Sequence, residues 1–261
     1  MDGAQRIADA FARAQGRAAL MPYLMGGFPT LEASLRIGEA YADGGADLVE
    51  LGVPFSDPLA DGPVVQAAGT AALRAGATVD GVLEICSALS RRLPVVVMLY
   101  ANLVYARGVE AFVAAAAAAG ASGLIIPDLP MEEAPAVLEA CDAAGLALVP
   151  LVAPTTPEAR LAEIGARARG FVYTVSVTGT TGERAALHDY GAVIARAKAH
   201  TEVPVALGFG IGTPEQAVEA AEAGADGVIV GSRLVRAAAE ADDAAAAVRE
   251  VVAGFAQALR A

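Results

Sequence analysis

The sequence predicts an α/β fold in which eight parallel strands alternate with helices and close into one (β/α)8 TIM barrel over residues 1–261. One sequence pattern recurs, in which a glycine near the end of a helix is followed by a short apolar strand. It reads GGADLVELG, GASGLIIPD, AGLALVPLV and GADGVIVGS at 44–52, 120–128, 144–152 and 224–232. Glycine supplies the left-handed helix cap, and such a strand suits a sheet buried on both faces. A doubly wound open sheet is the alternative, but no GxGxxG follows the first strand.

The strands are predicted from these apolar runs and their boundaries. Pro94 and Pro204 open two of them, at a position where a missing N–H does least harm. The predicted strands are 20–25, 47–51, 94–99, 123–126, 147–151, 171–175, a run that begins at Pro204, and 227–230. This count, with a helix after each strand, favours the barrel.

The helices are predicted from apolar periodicity and caps. A short leading helix places Ile7 and Phe11 one turn apart, Thr30 caps the next helix, and the last helix has an apolar face. The predicted helices are 3–15, 31–42, 64–75, 79–91, 109–119, 132–144, 158–167, 190–200, one that begins at Pro214, and 241–260. The polar, Gly- and Thr-rich segment 176–189 is the longest irregular stretch and is predicted to be a mobile lid.

Composition excludes several functional classes. The 261 residues are 56% hydrophobic, so the chain can bury a large core, and the formal charge of −12 makes nucleic acid and anionic membranes poor partners. Two cysteines, Cys86 and Cys141, are expected to be reduced core thiols, with a disulfide between them as the alternative, and with two histidines they offer no metal-ligand spacing. With no signal peptide or membrane span evident, a cytoplasmic protein is expected.

The stretch DLVELGVPFSDPLADGP at 47–63 is the most informative. Glu50 interrupts an apolar strand. Burying a carboxylate costs roughly several kcal/mol of folding free energy unless the group has a partner or lies in a pocket. Three prolines stiffen the loop that carries Asp57 and Asp61. A carboxylate at a strand end facing another on a stiff loop is the layout of an acid–base pair, although Glu50 could be structural and Asp61 a turn residue.

Two loops near the end of the chain predict a phosphate site. One contains Gly208, Phe209 and Gly210, and the other contains Gly231 and Ser232 at a helix start. Loops after the last two strands of such a barrel commonly hold phosphate through backbone N–H groups. The alternative is that the glycines only permit tight turns.

Four aromatic residues at or near strand ends indicate an apolar pocket for a flat ligand, or alternatively core filling: Tyr23, Tyr100, Tyr173 and Phe209. Asp128 is predicted to organise its loop, and His188 receives no role. The residues alone therefore favour a metal-free barrel enzyme that acts on a phosphorylated substrate with an apolar part.

The motif ELGVPFSDPLADGP at 50–63 closely resembles the signature of the tryptophan synthase alpha chain family. The resemblance continues through MLYANLVYARG (98–108), IIPDLPMEE (125–133), YTVSVTGTTG (173–182) and LGFGIGTPEQ (207–216). It implies retro-aldol cleavage of indole-3-glycerol phosphate to indole and glyceraldehyde 3-phosphate.

The resemblance also implies roles for individual residues. Glu50 matches the acid–base, and Asp61 matches the carboxylate that accepts the indole N–H. Tyr23, Tyr100, Tyr173 and Phe209 match pocket walls, and segment 176–189 matches a closing lid. The positions that match phosphate binders are Gly182, Gly210, Gly231 and Ser232.

A partner is implied by the same resemblance. The family's alpha chain docks on a beta chain in an α2β2 heterotetramer, and pyridoxal phosphate (PLP) belongs to that partner, so no cofactor is expected here. Positions matching the interface are Pro54, Asp57, Pro58 and Asn102, which could also be ordinary loop residues. A stand-alone lyase that releases indole, and a non-catalytic phosphate-binding activator, remain alternatives.

Overall fold

Nine parallel strands form a single sheet in the computed structural model, which describes residues 2–14, 16–175 and 190–261. Every pairing between neighbouring strands is parallel. The strands are β1 (Ala19–Met25), β2 (Val49–Gly52), β3 (Val95–Met98), β4 (Gly123–Ile125), β5 (Ala147–Val149), β6 (Leu151–Val152), β7 (Val172–Val175), β8 (Val205–Gly208) and β9 (Gly227–Val230).

The sheet closes into a barrel at Pro150, which separates β5 from β6. The strand order is β5-β4-β3-β2-β1-β9-β8-β7-β6, so its two ends, β5 and β6, are separated in the chain only by Pro150. Proline has no N–H for the ladder, whereas its carbonyl still accepts a 2.9 Å hydrogen bond from the N–H of Tyr173. The single strand predicted at 147–151 is therefore two short strands, which together count as one of the eight strands of a TIM barrel.

Helices surround this sheet. Within the described residues they are α1 (Gly3–Arg13), α2 (Leu31–Gly44), α3 (Pro63–Arg74), α4 (Val79–Leu89), α5 (Ala101–Arg107), α6 (Val109–Ala118), α7 (Pro135–Ala144), α8 (Glu158–Arg167), α9 (Tyr190–Lys198), α10 (Pro214–Glu222), α11 (Ser232–Glu240) and α12 (Ala244–Ala258). Helix α5 was not predicted, and of α11 only the start at Ser232 was predicted. Helix α7 begins at Pro135 rather than at 132, and the last helix begins at Ala244 because the Asp243 side chain caps it by accepting the N–H of Ala246.

The start of α5 shows how one loop is organised. Tyr100 occupies the N-cap position without a side-chain cap of its own. Instead the Asp128 carboxylate, from the loop after β4, accepts a 2.8 Å hydrogen bond from the N–H of Ala101. Asp128 thus organises its loop as predicted, by satisfying a helix N-terminus from a neighbouring loop.

Strand residues alternate between two apolar clusters. Side chains that point inwards fill the barrel, and those that point outwards pack beneath the helices, because successive strand residues face opposite sides of a sheet. Members of the inner cluster include Met21, Tyr23, Val96, Met98, Ile125, Tyr173, Ala206 and Ile229. The inner cluster also contains Ile7 and Ala10 of α1, so the leading helix closes the amino end of the barrel.

Candidate active site

Glu50 points into the barrel near the carboxyl end of β2. It is the register partner of Tyr23 on β1 and of Val96 on β3, both of which belong to the inner cluster. Its side chain is buried, with 1% relative exposure. Its Oε2 atom is buried without a hydrogen-bond partner in the described part of the chain. An unsatisfied buried carboxyl oxygen is costly and therefore marks a place where a ligand group is expected.

The surroundings of Glu50 favour its neutral form. Burial, followed by the nearby charge of Asp61, raises the pKa of Glu50 from 4.5 to about 8. The pKa of Asp61 is also raised by burial, but the Tyr100 hydroxyl opposes this rise by hydrogen bonding to the carboxylate. The charge of Asp61 helps to raise the pKa of Glu50, so near neutrality the pair consists of a protonated Glu50 beside an ionised Asp61.

Tyr100 holds the loop that carries Asp61. Its hydroxyl donates to Oδ1 of Asp61 at 3.2 Å and accepts from the N–H of Ala60 at 3.0 Å. Its ring stacks on Phe55 with centroids 5.2 Å apart. Tyr100, at the end of β3, was predicted to form a pocket wall. The structure places it behind Asp61 instead, outside the set of residues that line the cavity.

Tyr23 and Tyr173 each lie against a glycine of the next strand. A Cβ atom built on Gly52 would lie 2.1 Å from Oη of Tyr23, and one built on Gly208 would lie 2.3 Å from Oη of Tyr173. Neither glycine has a positive φ, so what they provide is space for the phenol groups. Sequence reasoning missed Gly52. The only signal in the sequence was a glycine directly after a predicted strand, because its position beside Tyr23 depends on the register of the two strands.

Phe209 completes the aromatic wall. Its φ of 67° makes it the only non-glycine residue with positive φ in the described ranges, and Gly210 follows with φ of 87°. Strained backbone of this kind is concentrated at functional sites. The conformation brings the Phe209 ring edge-on to Tyr173, with centroids 6.1 Å apart and planes at 79°.

Two of the residues predicted to bind phosphate lie at the start of α11. Gly231 is its N-cap residue and Ser232, which is buried, is its first helical residue. The first N–H groups of a helix have no acceptor within it, and the helix dipole favours an anion there. At the neighbouring α10, by contrast, Gln216 accepts hydrogen bonds from the N–H groups of Gly212 and Thr213, so that helix caps itself.

These groups line one cavity at the carboxyl end of the barrel. It encloses about 520 Å³ of space between the protein atoms, its open mouth included. Its lining includes these predicted residues: Tyr23, Glu50, Asp61, Tyr173, Phe209, Gly210, Gly231 and Ser232. Four apolar lining residues were not predicted, namely Val65, Met98, Ile211 and Ile229. Within the described ranges, no three His, Cys, Asp or Glu side chains are grouped as metal ligands.

The predicted interface residues lie outside this cavity. Asp57 and Asn102 are exposed, Pro58 is partly buried and Pro54 is buried. Between Asp57 and Asp61, Leu59 is 76% exposed. Gly182, His188 and the whole predicted lid at 176–189 lie outside the described residues. No helix in the described part of the chain is long and apolar enough to cross a membrane.

Comparison with known proteins places the chain in a family. A family model described as "Tryptophan synthase alpha chain" matches residues 10–260. A tryptophan synthase alpha chain from Methanosarcina mazei is 50% identical over 231 residues, covering 88% of this chain and 85% of that protein. A solved tryptophan synthase from Mycobacterium tuberculosis is 40% identical with a TM-score of 0.91, covering 98% of each chain.

A more distant structure agrees with these. One chain of the tryptophan synthase α2β2 complex from Pyrococcus furiosus is 35% identical with a TM-score of 0.83, covering 92% of this chain and 97% of that one. The similarity spans the barrel and all the strands that supply the cavity. The chain therefore belongs to the tryptophan synthase alpha chain family, the lyase component that cleaves indole-3-glycerol phosphate in tryptophan biosynthesis.

Proposed function

We propose that this chain cleaves indole-3-glycerol phosphate to indole and glyceraldehyde 3-phosphate with Glu50 as the residue that moves both protons. The observation that carries this proposal is the buried Glu50 carboxyl, whose Oε2 has no described partner and which lines a cavity together with Asp61. Its pKa of about 8 leaves it protonated near neutrality, ready to act as an acid.

The reaction requires two proton movements. The Glu50 carboxyl first donates its proton to C3 of the indole ring, which places positive charge on the ring nitrogen. The resulting carboxylate then takes the proton from the hydroxyl group on the adjacent side-chain carbon. That O–H electron pair forms the aldehyde C=O bond, and the electrons of the broken C–C bond return to the ring. Glu50 ends the cycle protonated, so the protons balance.

Asp61 is assigned to the indole nitrogen. An ionised carboxylate accepts the N–H hydrogen bond and stabilises the positive charge that develops on protonation. The Tyr100 hydroxyl fixes its position from behind, at 3.2 Å. Because Asp61 is the more acidic of the two carboxyls, it supplies this negative charge while Glu50 is still protonated.

The remaining lining orients the substrate. Tyr173, Phe209, Met98 and Ile229 provide apolar walls for the indole ring. Gly210, Gly231 and Ser232 form the phosphate end, where backbone N–H groups and the α11 dipole balance the ligand's charge. This accommodates phosphate in a chain whose net charge is −12.

A beta chain is proposed as the partner, in an α2β2 heterotetramer like the Pyrococcus furiosus complex. The exposed Leu59, with Asp57 and Asn102, offers the docking surface. The loop of Leu59 is tied to the site through Ala60 and Asp61, which both bond Tyr100. PLP would belong to the partner, and this chain would need no cofactor. The assembly is proposed to work in the cytoplasm.

Indole release from indole-3-glycerol phosphate tests this proposal, measured for wild type and Glu50→Gln with and without a beta chain. We expect activity that rises with the partner and is lost in Glu50→Gln. Fast turnover without the partner would favour a stand-alone lyase. Substantial cleavage by Glu50→Gln would overturn the assignment of Glu50, and absence of cleavage by wild type under both conditions would leave a phosphate-binding activator.

A separate variant tests the proposed docking surface. Leu59→Asp places a charge where an apolar contact is proposed, and it lies outside the cavity lining. We expect it to weaken association with the beta chain and to leave the partner-free rate unchanged. Unaltered association would contradict the placement of the interface on this loop.

A further inference from the structure

Tyr23 places a phenol group beside Glu50. The two residues are register partners on β1 and β2, so their side chains emerge next to each other inside the barrel. Both are buried and both line the cavity. The phenol lies across Gly52, because a Cβ atom there would be 2.1 Å from Oη. Its hydroxyl group therefore lies at the carboxyl end of β2, where Glu50 presents its carboxyl.

The Tyr23 hydroxyl lacks a strong acceptor in the described part of the chain. Its hydrogen-bond contact there is Sδ of Met25 at 3.9 Å, and a thioether is a weak acceptor. Buried tyrosine hydroxyls usually find a proper partner. Oε2 of the adjacent Glu50 also lacks one. Of these two neighbouring polar groups at the same cavity, one is unsatisfied and the other is bonded only to a thioether, which points to one ligand group that would bond both.

Packing alone does not account for this hydroxyl. The inner cluster around Tyr23 is apolar, and a phenylalanine would fill the same volume. The hydroxyl instead requires a glycine at position 52, because it is the atom closest to where a Cβ atom of that residue would lie. Burial, with smaller contributions from Asp61 and Glu50, raises the pKa of Tyr23 well above its usual value. The group therefore keeps its proton and is available as a neutral hydrogen-bond donor.

We propose that the Tyr23 hydroxyl donates a hydrogen bond to the substrate hydroxyl oxygen on the carbon bonded to indole C3, the oxygen that Glu50 deprotonates. This rests on the function proposed above. When Glu50 takes the proton, the O–H electron pair becomes the aldehyde π bond and negative charge builds transiently on that oxygen. Tyr23 keeps its own proton throughout and lowers the energy of this charge. It acts on the same atom as Glu50 but carries out no proton transfer.

A donor aimed at developing charge acts mainly in the transition state. Its bond to the neutral hydroxyl of the bound substrate is ordinary, and it strengthens only as the proton leaves. The loss of such a donor therefore lowers kcat more than it raises KM. This separates the proposed role from that of a pocket wall, whose loss would weaken the binding of substrate and analogues alike.

Tyr23→Phe tests the inference because it removes one oxygen and retains the ring. We expect kcat to fall by about 10- to 100-fold and KM to change by less than about threefold. The matched control is Tyr105→Phe, whose residue is 46% exposed and does not line the cavity. We expect the control to keep wild-type kcat.

A binding measurement reports on the pocket independently of turnover. The probe is the substrate analogue that keeps the indole ring, the three-carbon chain and the phosphate but has no hydroxyl groups. Wild type and Tyr23→Phe should bind it equally, since the proposed acceptor is absent. Equal loss of analogue binding and of activity would overturn the inference, because the phenol would then be structural.

Glu50→Gln in the same assay separates the two proposals. If Glu50→Gln is inactive but Tyr23→Phe keeps the wild-type kcat, the role of Tyr23 is overturned and the proposed function stands. Active Glu50→Gln would overturn the proposed function itself. The inference is supported by an inactive Glu50→Gln and a Tyr23→Phe variant that loses kcat while it retains analogue affinity.

Discussion

The Tyr100 hydroxyl donates a 3.2 Å hydrogen bond to the Asp61 carboxylate and so joins the end of β3 to the loop that follows β2. The same oxygen accepts the N–H of Ala60. One phenol thus fixes both the position of Asp61 and the conformation of the loop that presents Leu59. Because this hydrogen bond favours the ionised carboxylate, it counteracts the rise in the pKa of Asp61 that burial causes.

Tyr100→Phe should make Asp61 harder to ionise. Without the hydroxyl donor the pKa of Asp61 rises further, so the acid limb of the kcat profile should move to higher pH. Steady-state rates of indole release across the acid range measure this limb. An acid limb that remains at the wild-type pH would show that Asp61 does not need this donor.

The architecture could be predicted from the sequence, because alternating apolar strands and glycine-capped helices are local signals. The split of the fifth barrel strand at Pro150 and helix α5 were missed. Helix α5 depends on Asp128, which is distant in sequence from Ala101. Glu50 stood out because it interrupts an apolar strand, and Asp61 because it lies on a loop stiffened by three prolines. Val65, Met98 and Ile229 did not, because nothing distinguishes an apolar residue that lines a cavity from one that fills a core.

Glu50→Gln should change how stability depends on pH. In the unfolded chain this carboxyl titrates near its ordinary pKa of 4.5, whereas in the folded protein its pKa is about 8. Between these values the folded state retains a proton that the unfolded state releases. The stability that depends on the protonated Glu50 is therefore fully present below pH 4.5. Between pH 4.5 and about 8 the free energy of unfolding falls as pH rises, by about 1.4 kcal/mol per pH unit.

Urea unfolding of wild type and Glu50→Gln from pH 5 to pH 8 measures this difference. Glutamine does not titrate, so the variant should gain stability relative to wild type as pH rises. The control is Glu84→Gln on α4, whose residue is exposed. Parallel stability curves for wild type and Glu50→Gln would refute the raised pKa.

Gly52→Ala should displace the Tyr23 phenol. The added Cβ would lie 2.1 Å from Oη and 2.7 Å from Cζ of Tyr23, so the ring must move. Overpacking of this kind costs about 1–3 kcal/mol of unfolding free energy, and we expect cleavage to weaken as well. Gly254→Ala in α12 is the matched control, since nothing lies within 4 Å of its Cβ position. That control should gain stability, by about 0.5–1 kcal/mol. Wild-type stability and rate in Gly52→Ala would show that the phenol is not confined by Gly52.

Ser232→Asp should repel the substrate phosphate. An aspartate in the first turn of α11 suits the helix dipole, so the variant is expected to fold. Its charge beside the proposed phosphate position should raise KM by at least about tenfold, whereas Ser232→Ala, which loses one hydroxyl, should raise KM by less. Inhibition of wild type by inorganic phosphate should weaken in the same order. Equal KM values for the aspartate and alanine variants would place the phosphate elsewhere.

The central claim is that Glu50 is a neutral acid at physiological pH, and a direct carboxyl titration tests it. The measurement is the infrared C=O band of protonated carboxyl groups, recorded as wild type minus Glu50→Gln from pH 4 to pH 10. We predict a band that persists above pH 7 and disappears with a midpoint near pH 8, as the pKa of about 8 requires. A band that is lost near pH 4.5 would mean that Glu50 is a carboxylate at neutrality, and its assignment as the proton donor to indole C3 would be wrong.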